Sequence, residues 1–457
     1  MKGGGEGSGW VPMKNRRRFL QQILATGTMP MIVPRHVIAG AGQTPPSEKL
    51  RTAHVGVGGQ GGGNLGEIGQ FPEVQVVALC DVDTRNLDGA AGKYPGAQKF
   101  RDWRRMLEKE KEFDAVVVST PDHHHAPIAL SAMQLGKHAY VEKPLAHTIE
   151  EARKMRDMAK KMNVVTQMGN NGHGGEGLRL WKEIYDQGTL GKVQEVHVWS
   201  DRPGTFWNTQ GIERPKDTPP VPATLDWDLW IGPAPMRPFH TAYHQVAWRG
   251  WWDFGCGALG DMAVHNADPA FYALDLGQPD WVDATTSPSN NDSYPAWSLV
   301  TWHFPAKGSR PEVTMKWYDG GKVPEGLKFF EEGRKISDNG CAFVGEKCGL
   351  LGGSHASPPR LIPDVLMKDF KRPEPIIPRS PGHRIEWVRA ALAGKPEDAK
   401  SGFWYSAPFT EALLVGMLAV RFQKRIEWDA EKQQAKNCPE AESLIRKAYR
   451  EGWKLPV

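Results

Sequence analysis

The chain has 457 residues, a formal net charge of +4 and 40% hydrophobic against 24% charged residues, which is the balance of a globular protein large enough for two domains. No dense basic tract lies beyond the N-terminus, so nucleic-acid binding is not indicated. The five cysteines, Cys80, Cys256, Cys341, Cys348 and Cys438, are scattered, odd in number and never in C-x-x-C, which argues against a disulfide framework and a zinc site.

Residues 1–41 read as a processing segment. Asn15-Arg16-Arg17-Arg18-Phe19-Leu20-Gln21 resembles the twin-arginine export motif, with Asn15 where Ser or Thr is usual. The apolar region from Ile23 to Ile38 is interrupted by Pro30, Pro34 and Arg35, and is too short to span a bilayer. Ala39-Gly40-Ala41 offers a cleavage site, giving a mature start near Gly42, and Met13 is an alternative initiator to Met1. The expectation is a periplasmic or otherwise exported protein carried by the twin-arginine translocase, a route that takes folded chains with cofactor already loaded. Residues 42–50 read as a linker.

From residue 51 to 167, apolar runs alternate with helical segments. Ala53, Val55 and Val57 lead into Gly56-Val57-Gly58-Gly59-Gln60-Gly61, and Asn64-Leu65 opens a helix. In this G-x-G-x-x-G spacing, Gly56 permits the tight turn, Gly58 lets a pyrophosphate approach the backbone, and Gly61 lets helix and strand pack closely. The helix N-terminus then offers free N–H groups and a positive dipole end to the phosphates. Val76 to Cys80 reads as a second strand. Asp81 at its end lies 20 residues after Gly61, placed to accept hydrogen bonds from ribose hydroxyls and to repel a 2′-phosphate. NAD is therefore expected over NADP. Further strands are expected at Ala115–Val118, ending in Ser119-Thr120-Pro121, at His138–Val141, ending in Glu142-Lys143-Pro144, and at Val164–Gln167. Helices are expected from Asp102, over Ala126–Leu135, and after the Thr148/Glu151 capping box, where Ala152, Met155, Met158, Ala159 and Met162 share one face. Repeated βα units imply a parallel, doubly wound sheet.

After Gln167 the pattern changes. A helix is expected at Leu178–Tyr185 and a strand at Val193–Trp199. Residues 200 to 250, rich in Pro, Trp and His, read as a binding loop or lid. Strands at Trp281–Ala284, Ser298–Phe304, Glu312–Tyr318 and Cys341–Val344, with no helices between them, suggest an antiparallel sheet. Helices at Gly382–Ala393, Pro408–Lys424 and Pro439–Arg450 close the chain. The fold class is α/β: a Rossmann-type parallel sheet over 51–167, an α+β domain over 168–380, and C-terminal helices over 381–457 packing back on the core.

The motifs Gly56–Gly61, Asp81-Val82-Asp83, Ser119-Thr120-Pro121-Asp122-His123-His124-His125, Glu142-Lys143-Pro144 and Gly260-Asp261-Met262-Ala263-Val264-His265 occur in this order. Together they resemble the Gfo/Idh/MocA oxidoreductases, named for glucose–fructose oxidoreductase and inositol dehydrogenase. The resemblance implies a nicotinamide domain, an open-faced antiparallel sheet through which a homo-oligomer is expected to form, and sugars, cyclitols or related polyols as substrates. It carries catalytic roles onto Lys143, Asp261 and His265, and a place beside the nicotinamide onto His125.

Physical reasoning gives the same residues work. Lys143 stands at a parallel strand end, where such sheets place ligands, and is suited to stabilise a developing alkoxide. Asp261 and His265, four apart on a helix, let a carboxylate orient an imidazole that takes a hydroxyl proton. The expected cofactor set is Gly56, Gly58, Gly59, Gln60, Gly61, Asp81, Thr120, Pro121, Asp122, His125, Glu142 and Lys143, with His123 and His124 solvated. Three consecutive imidazoles do not converge on one ion, so no metal is expected. Asn170, Asn171, His173, Trp251 and Trp252 are the substrate candidates, the tryptophans because aromatic faces pack on sugar C–H faces, with a place in the core as the equal alternative for them. The expected function is an exported NAD-dependent oxidoreductase acting on a hydroxyl of a sugar, glycoside or cyclitol. The alternative is a redox-neutral glycoside hydrolase with retained NAD. A non-catalytic NAD-bound binding protein stands third.

Overall fold

The computed structural model describes residues 48–204 and 206–457. The twin-arginine motif, the cleavage site and most of the linker lie outside the described residues. Lys49–Val457 forms one compact unit.

Six strands, β1 Leu50–Val55, β2 Val74–Cys80, β3 Gln98–Phe100, β4 Ala115–Val118, β5 His138–Val141 and β6 Thr166–Met168, form a sheet in the order β3-β2-β1-β4-β5-β6. Every pair is parallel. β4 is Ala-Val-Val-Val, buried at every position, as a strand covered on both faces requires. Helices α1 Gly59–Gly69, α2 Thr84–Lys93, α3 Trp103–Lys109, α4 His125–Gln134 and α5 Ile149–Met162 make the crossovers. The capping box of α5 forms as expected, with Thr148 accepting from the Glu151 N–H and Glu151 reaching back. The strand order reverses between β1 and β4, and the loops that follow these two strands open the crevice where such sheets bind ligands.

The second sheet has nine strands: β7 Val193–Trp199, β8 Trp281–Thr286, β9 Ser298–Phe304, β10 Val313–Tyr318, β11 Gly340–Gly345, β12 Gly349–Gly352, β13 Arg360–Ile362, β14 Ile426–Asp429 and β15 Gln434–Ala435. Their order is β13-β12-β11-β7-β10-β9-β8-β14-β15. Pairing is antiparallel except that β7 and β10 run parallel, which makes this the mainly antiparallel sheet expected of the second domain. β9 and β10 alternate buried and half-buried residues, so one face packs inward.

α6 Glu176–Asp186 joins β6 to β7; α7 Trp227–Ile231, α8 Gly257–Asn266 and α9 Asp268–Leu274 lie between β7 and β8; α10 His383–Ala393 and α11 Phe403–Phe422 lie between β13 and β14, and α12 Glu442–Ile445 follows β15. α11 is long and apolar enough to cross a membrane, but 83% of its apolar window is buried: it is the core helix under the second sheet, its Ala412 carbonyl taking the Trp302 indole N–H at 2.9 Å. α10 packs Trp387, Val388, Ala390 and Ala391 against Leu50, Val117 and Tyr140 of the first sheet. The expected helix over Pro439–Arg450 is a correction: only Pro439–Ala441 and α12 are helical. Beyond Arg446 the chain is irregular and held by tertiary partners, with the Tyr449 hydroxyl on Glu151 at 2.6 Å and Trp453 under the Arg104 guanidinium. The irregular stretch after β7 builds its own small core from Trp227, Trp230, Phe239, Tyr243, Trp251 and Phe254.

Candidate active site

The turn after β1 is built as the glycine spacing requires. Gly56 has φ +78° and its N–H donates to the Cys80 carbonyl at 2.8 Å. A Cβ there would lie 2.7 Å from the Ser119 carbonyl oxygen, and one on Gly61 would run into the Gly56 carbonyl. Gly58 caps α1 without a side-chain hydrogen bond, so no side chain competes for the first-turn N–H groups. Asp81 is buried, which raises its carboxyl above the ordinary value; it accepts from the Val57 and Asp83 N–H groups, both at 2.9 Å. With the Asn86 side chain also bonding it, the carboxylate braces the glycine turn at the strand end where a ribose would lie. Arg85, the nearest downstream cation, is tied to Asp83 at 2.7 Å.

Across the crevice, Thr120 Oγ1 and Asp122 Oδ1 are buried with no hydrogen-bond partner among the described residues, as expected of groups that meet a bound molecule. Asp122 Oδ2 accepts from the Cys256 N–H at 3.0 Å, and burial pushes the Asp122 carboxyl up to about 7. His125 is fully buried, its ring nitrogens 2.8 Å from the Pro144 and Thr120 carbonyls. Burial holds it neutral, lowering its pKa to about 4. His123 and His124 are not solvated: both are buried, both reach the Trp230 carbonyl, and His123 also meets the Phe254 carbonyl. The aromatic core built by Trp230 and Phe254 covers them, which the run of three histidines does not reveal. The glycine cradle, uncapped helix start and two orphaned oxygens fit a dinucleotide lying from Gly58 to Asp122, with Gly59, Gln60 and Pro121 along the same edge.

Glu142 and Lys143 leave β5 in different directions. Glu142 is buried and accepts from Asn64 at 2.8 Å; Asn64 in turn takes the Arg384 guanidinium of α10 at 2.8 and 3.0 Å. Lys143, followed by a cis peptide to Pro144, places Nζ 2.7 Å from Asp261 Oδ1. Arg249 Nε reaches the same oxygen at 2.9 Å. Burial opposes charge on Asp261, but the two cations overcome it and hold the carboxyl well below the ordinary range. Arg249 was not singled out from the sequence; its signal is a cation inside the Trp248-Arg249-Gly250-Trp251 run, its guanidinium 4.2 Å from the Trp248 ring centre.

His265 lies on the same helix as Asp261, as the spacing predicts, but the orienting contact is a correction. Among the described residues Asp261 bonds Lys143 and Arg249, both through Oδ1, and gives His265 no hydrogen bond: the two cations hold the carboxylate toward β5 and the Arg249 segment. His265 Nδ1 is buried without a partner. Burial, Lys143 and His355 together hold the imidazole well below its ordinary value, so it is a neutral ring able to accept a proton.

The substrate candidates separate. Asn171 is half-buried near the strand ends, 3.4 Å from the Tyr140 hydroxyl. Asn170 and His173 are buried and held in a polar network: Asn170 bonds Asp268 and Ser401, His173 Nδ1 lies 3.0 Å from Asp268, and Tyr405 donates to Asp268 at 2.6 Å. His173 Nε2 has no partner among the described residues. Trp251 is fully buried in the aromatic core, its N–H on the Ala242 carbonyl, so it packs rather than faces the cleft. Trp252 stacks on Tyr294 at 3.7 Å and lines a separate cavity of about 230 Å³ with His147, Met417 and Lys447.

Comparison with known proteins agrees with this geometry. The chain is 28% identical over 204 residues to a glycosyl hydrolase family 109 protein of Shewanella pealeana, covering 39% of this chain and 44% of that one. It is 29% identical over 185 residues to levoglucosan dehydrogenase of Pseudarthrobacter phenanthrenivorans, covering 40% and 39%. The match thus spans less than half the length of either relative. In fold, the WlbA dehydrogenase from Bordetella pertussis, solved with NADH and UDP-GlcNAcA, agrees with TM-score 0.59 at 20% identity over 83% of this chain and 99% of that one. A levoglucosan dehydrogenase solved with NADH agrees with TM-score 0.56 at 17% identity over 82% and 98%. The model of an oxidoreductase family with an NAD-binding Rossmann fold matches residues 50–170, and that of its C-terminal alpha/beta domain matches 176–315. With an NAD-binding domain and a second sheet both matched, the chain belongs to the Gfo/Idh/MocA oxidoreductase family.

Proposed function

We propose that this protein is an exported, NAD-dependent dehydrogenase acting on a CH–OH group of a sugar, glycoside or cyclitol. The observation that carries the reading is the Lys143–Asp261 contact of 2.7 Å at the end of β5, close to a neutral His265 and beside the dinucleotide crevice. NAD, when bound, supplies the hydride acceptor. His265 takes the hydroxyl proton, and Lys143 donates to the same oxygen and stabilises its developing charge. Asp261 holds Lys143 in place, with Arg249 sharing the load. Asp81 favours NAD over NADP through charge. The half-buried face of the second sheet supports a homo-oligomer, and Arg16-Arg17 supports export by the twin-arginine route.

The test uses Lys143→Ala and His265→Ala. Neither side chain lies against the glycine cradle, so both variants should keep NAD bound by calorimetry while turnover falls about 10²–10⁴-fold. Near wild-type turnover in either would refute the assignment. The substrate is sought with a glycoside screen that follows NADH absorbance and released aglycone together. A second reading, redox-neutral glycoside hydrolysis with retained NAD, is favoured by the match to the family 109 hydrolase. Aglycone release without added NAD and without net NADH would select it.

A further inference from the structure

A general base needs an oriented ring, and among the described residues none gives His265 a hydrogen bond to orient it: its Nδ1 is unpartnered there and Asp261 is committed to Lys143 and Arg249. What lies on it instead is another imidazole. The His355 ring stacks on His265 with centroids 4.0 Å apart and planes 28° from parallel.

His355 sits in the turn between β12 and β13, some 90 residues further along the chain. That turn is built to hold the ring. His355 and the next residue, Ala356, have φ +58° and +52°, two consecutive non-glycine residues in the left-handed region. The turn presses on Gly172 and Gly177, where a Cβ would strike the His355 and Ala356 carbonyl oxygens. Asn266, the neighbour of His265 on α8, clamps it: its Oδ1 accepts from Ser354 Oγ at 2.8 Å and from the His355 N–H at 3.2 Å, while its Nδ2 donates to the Trp199 carbonyl at 2.8 Å. With the Ser354 hydroxyl donating to Asn266, its oxygen accepts from His355 Nδ1 at 2.6 Å. Successive residues of α8 thus do complementary work. Asn266 fixes the turn, and the turn fixes His265.

We propose that His355 is a positioning residue for the proton-transfer site: its stacked ring sets the plane of His265, in place of an orienting carboxylate. The strain of two left-handed residues is stored where a ring must be delivered to one place. The charged and titratable groups around the pair are Lys143 at the end of β5, Asp261 on α8, His383 on α10 and Arg202 after β7.

The assignment of His265 as base rests on the dehydrogenase reading, so the experiment has one arm that needs no substrate. The full chain is prepared with histidine labelled at Cε1, and the His265 resonance is identified by its loss in His265→Gln. His355→Asn keeps a residue at ease in the left-handed region but removes the ring; His355→Phe keeps a ring and removes the imidazole. The His265 signal should be shifted by the stacked ring in the wild type, lose that shift and broaden in His355→Asn, and keep a shift in His355→Phe. In the second arm, turnover of a substrate found in the glycoside screen should fall about 10- to 100-fold in kcat for His355→Asn with little change in KM, and recover most of that loss in His355→Phe. A His265 signal unmoved by His355→Asn, or a Phe variant that restores neither signal nor turnover, overturns the proposal. If the resonance arm succeeds while His265→Ala keeps full turnover, the ring-positioning role stands and the dehydrogenase assignment of His265 falls.

Discussion

Replacing Asp261 by Asn removes one charge from a buried triad and leaves two cations facing each other. Lys143 and Arg249 approach the same carboxylate oxygen at 2.7 and 2.9 Å, and the three side chains are only 15%, 14% and 7% exposed. Breaking a buried pair by removing one partner costs about 3–5 kcal/mol. The residual exposure of the cations puts Asp261→Asn at the low end, about 3 kcal/mol, or roughly 150-fold in the folding equilibrium. The assay is chemical denaturation of the wild type, Asp261→Asn, Lys143→Met and the double variant. The double variant should be less destabilised than the sum of the singles by about 1–3 kcal/mol, since the second change removes a charge the first left unpaired. The sign of the pH dependence follows from the direction of the shift. Asp261 is held below its ordinary value, so its contribution is complete above the unfolded pKa near ~3.9 and is lost as pH falls through the lower native value. The gap between wild type and Asp261→Asn should therefore narrow on acidification. Additive singles, or a gap that stays constant into strong acid, would refute the electrostatic account of the triad.

Asp122 has the opposite sign: burial raises its carboxyl to about 7, so the native state holds a proton that the unfolded chain has lost. Its contribution should make the wild type lose stability as pH rises from about 4 to about 7, a slope that thermal unfolding of Asp122→Asn should not show. Gly61→Ala, whose Cβ would strike the Gly56 carbonyl, should abolish NAD binding by calorimetry, while Gly63→Ala, with open space around the new carbon, should bind normally. NAD should bind more tightly than NADP, and Asp81→Ala should narrow the difference while loosening the turn at Val57, seen as lower affinity for both. Changing Arg16 and Arg17 to Lys should trap the precursor inside the cell; unchanged export by fractionation would count against the twin-arginine reading.

What could be read from the chain was what local pattern encodes. β4 is a pure apolar run, the glycine turn needs its glycines for reasons a spacing exposes, and the Thr148/Glu151 cap is a four-residue signature. The unread parts depend on distant partners. Arg249 precedes Asp261 by 12 residues through irregular chain, and no periodicity joins them. His355 reaches His265 only because β12 and β13 close the second sheet, and β12, as Gly-Leu-Leu-Gly, is too short to announce itself. The parallel pairing of β7 with β10 is set across more than a hundred residues. Asn170 and His173 follow β6 as expected at a ligand-binding edge, but Asp268 and Tyr405, both remote in sequence, draw them into a buried network.

The Arg384–Asn64–Glu142 link and the packing of Trp387 on β1, β4 and β5 have a consequence for the order of synthesis. Part of one face of the first sheet, over β1, β4 and β5, lacks its cover, and the first crossover helix lacks its clamp at Asn64, until residues near 390 have been made. The N-terminal third of the protein is thus finished by one of the last helices to leave the ribosome. A truncation before residue 383 should accordingly leave the nucleotide-binding part less stable to chemical denaturation than the same part in the full chain.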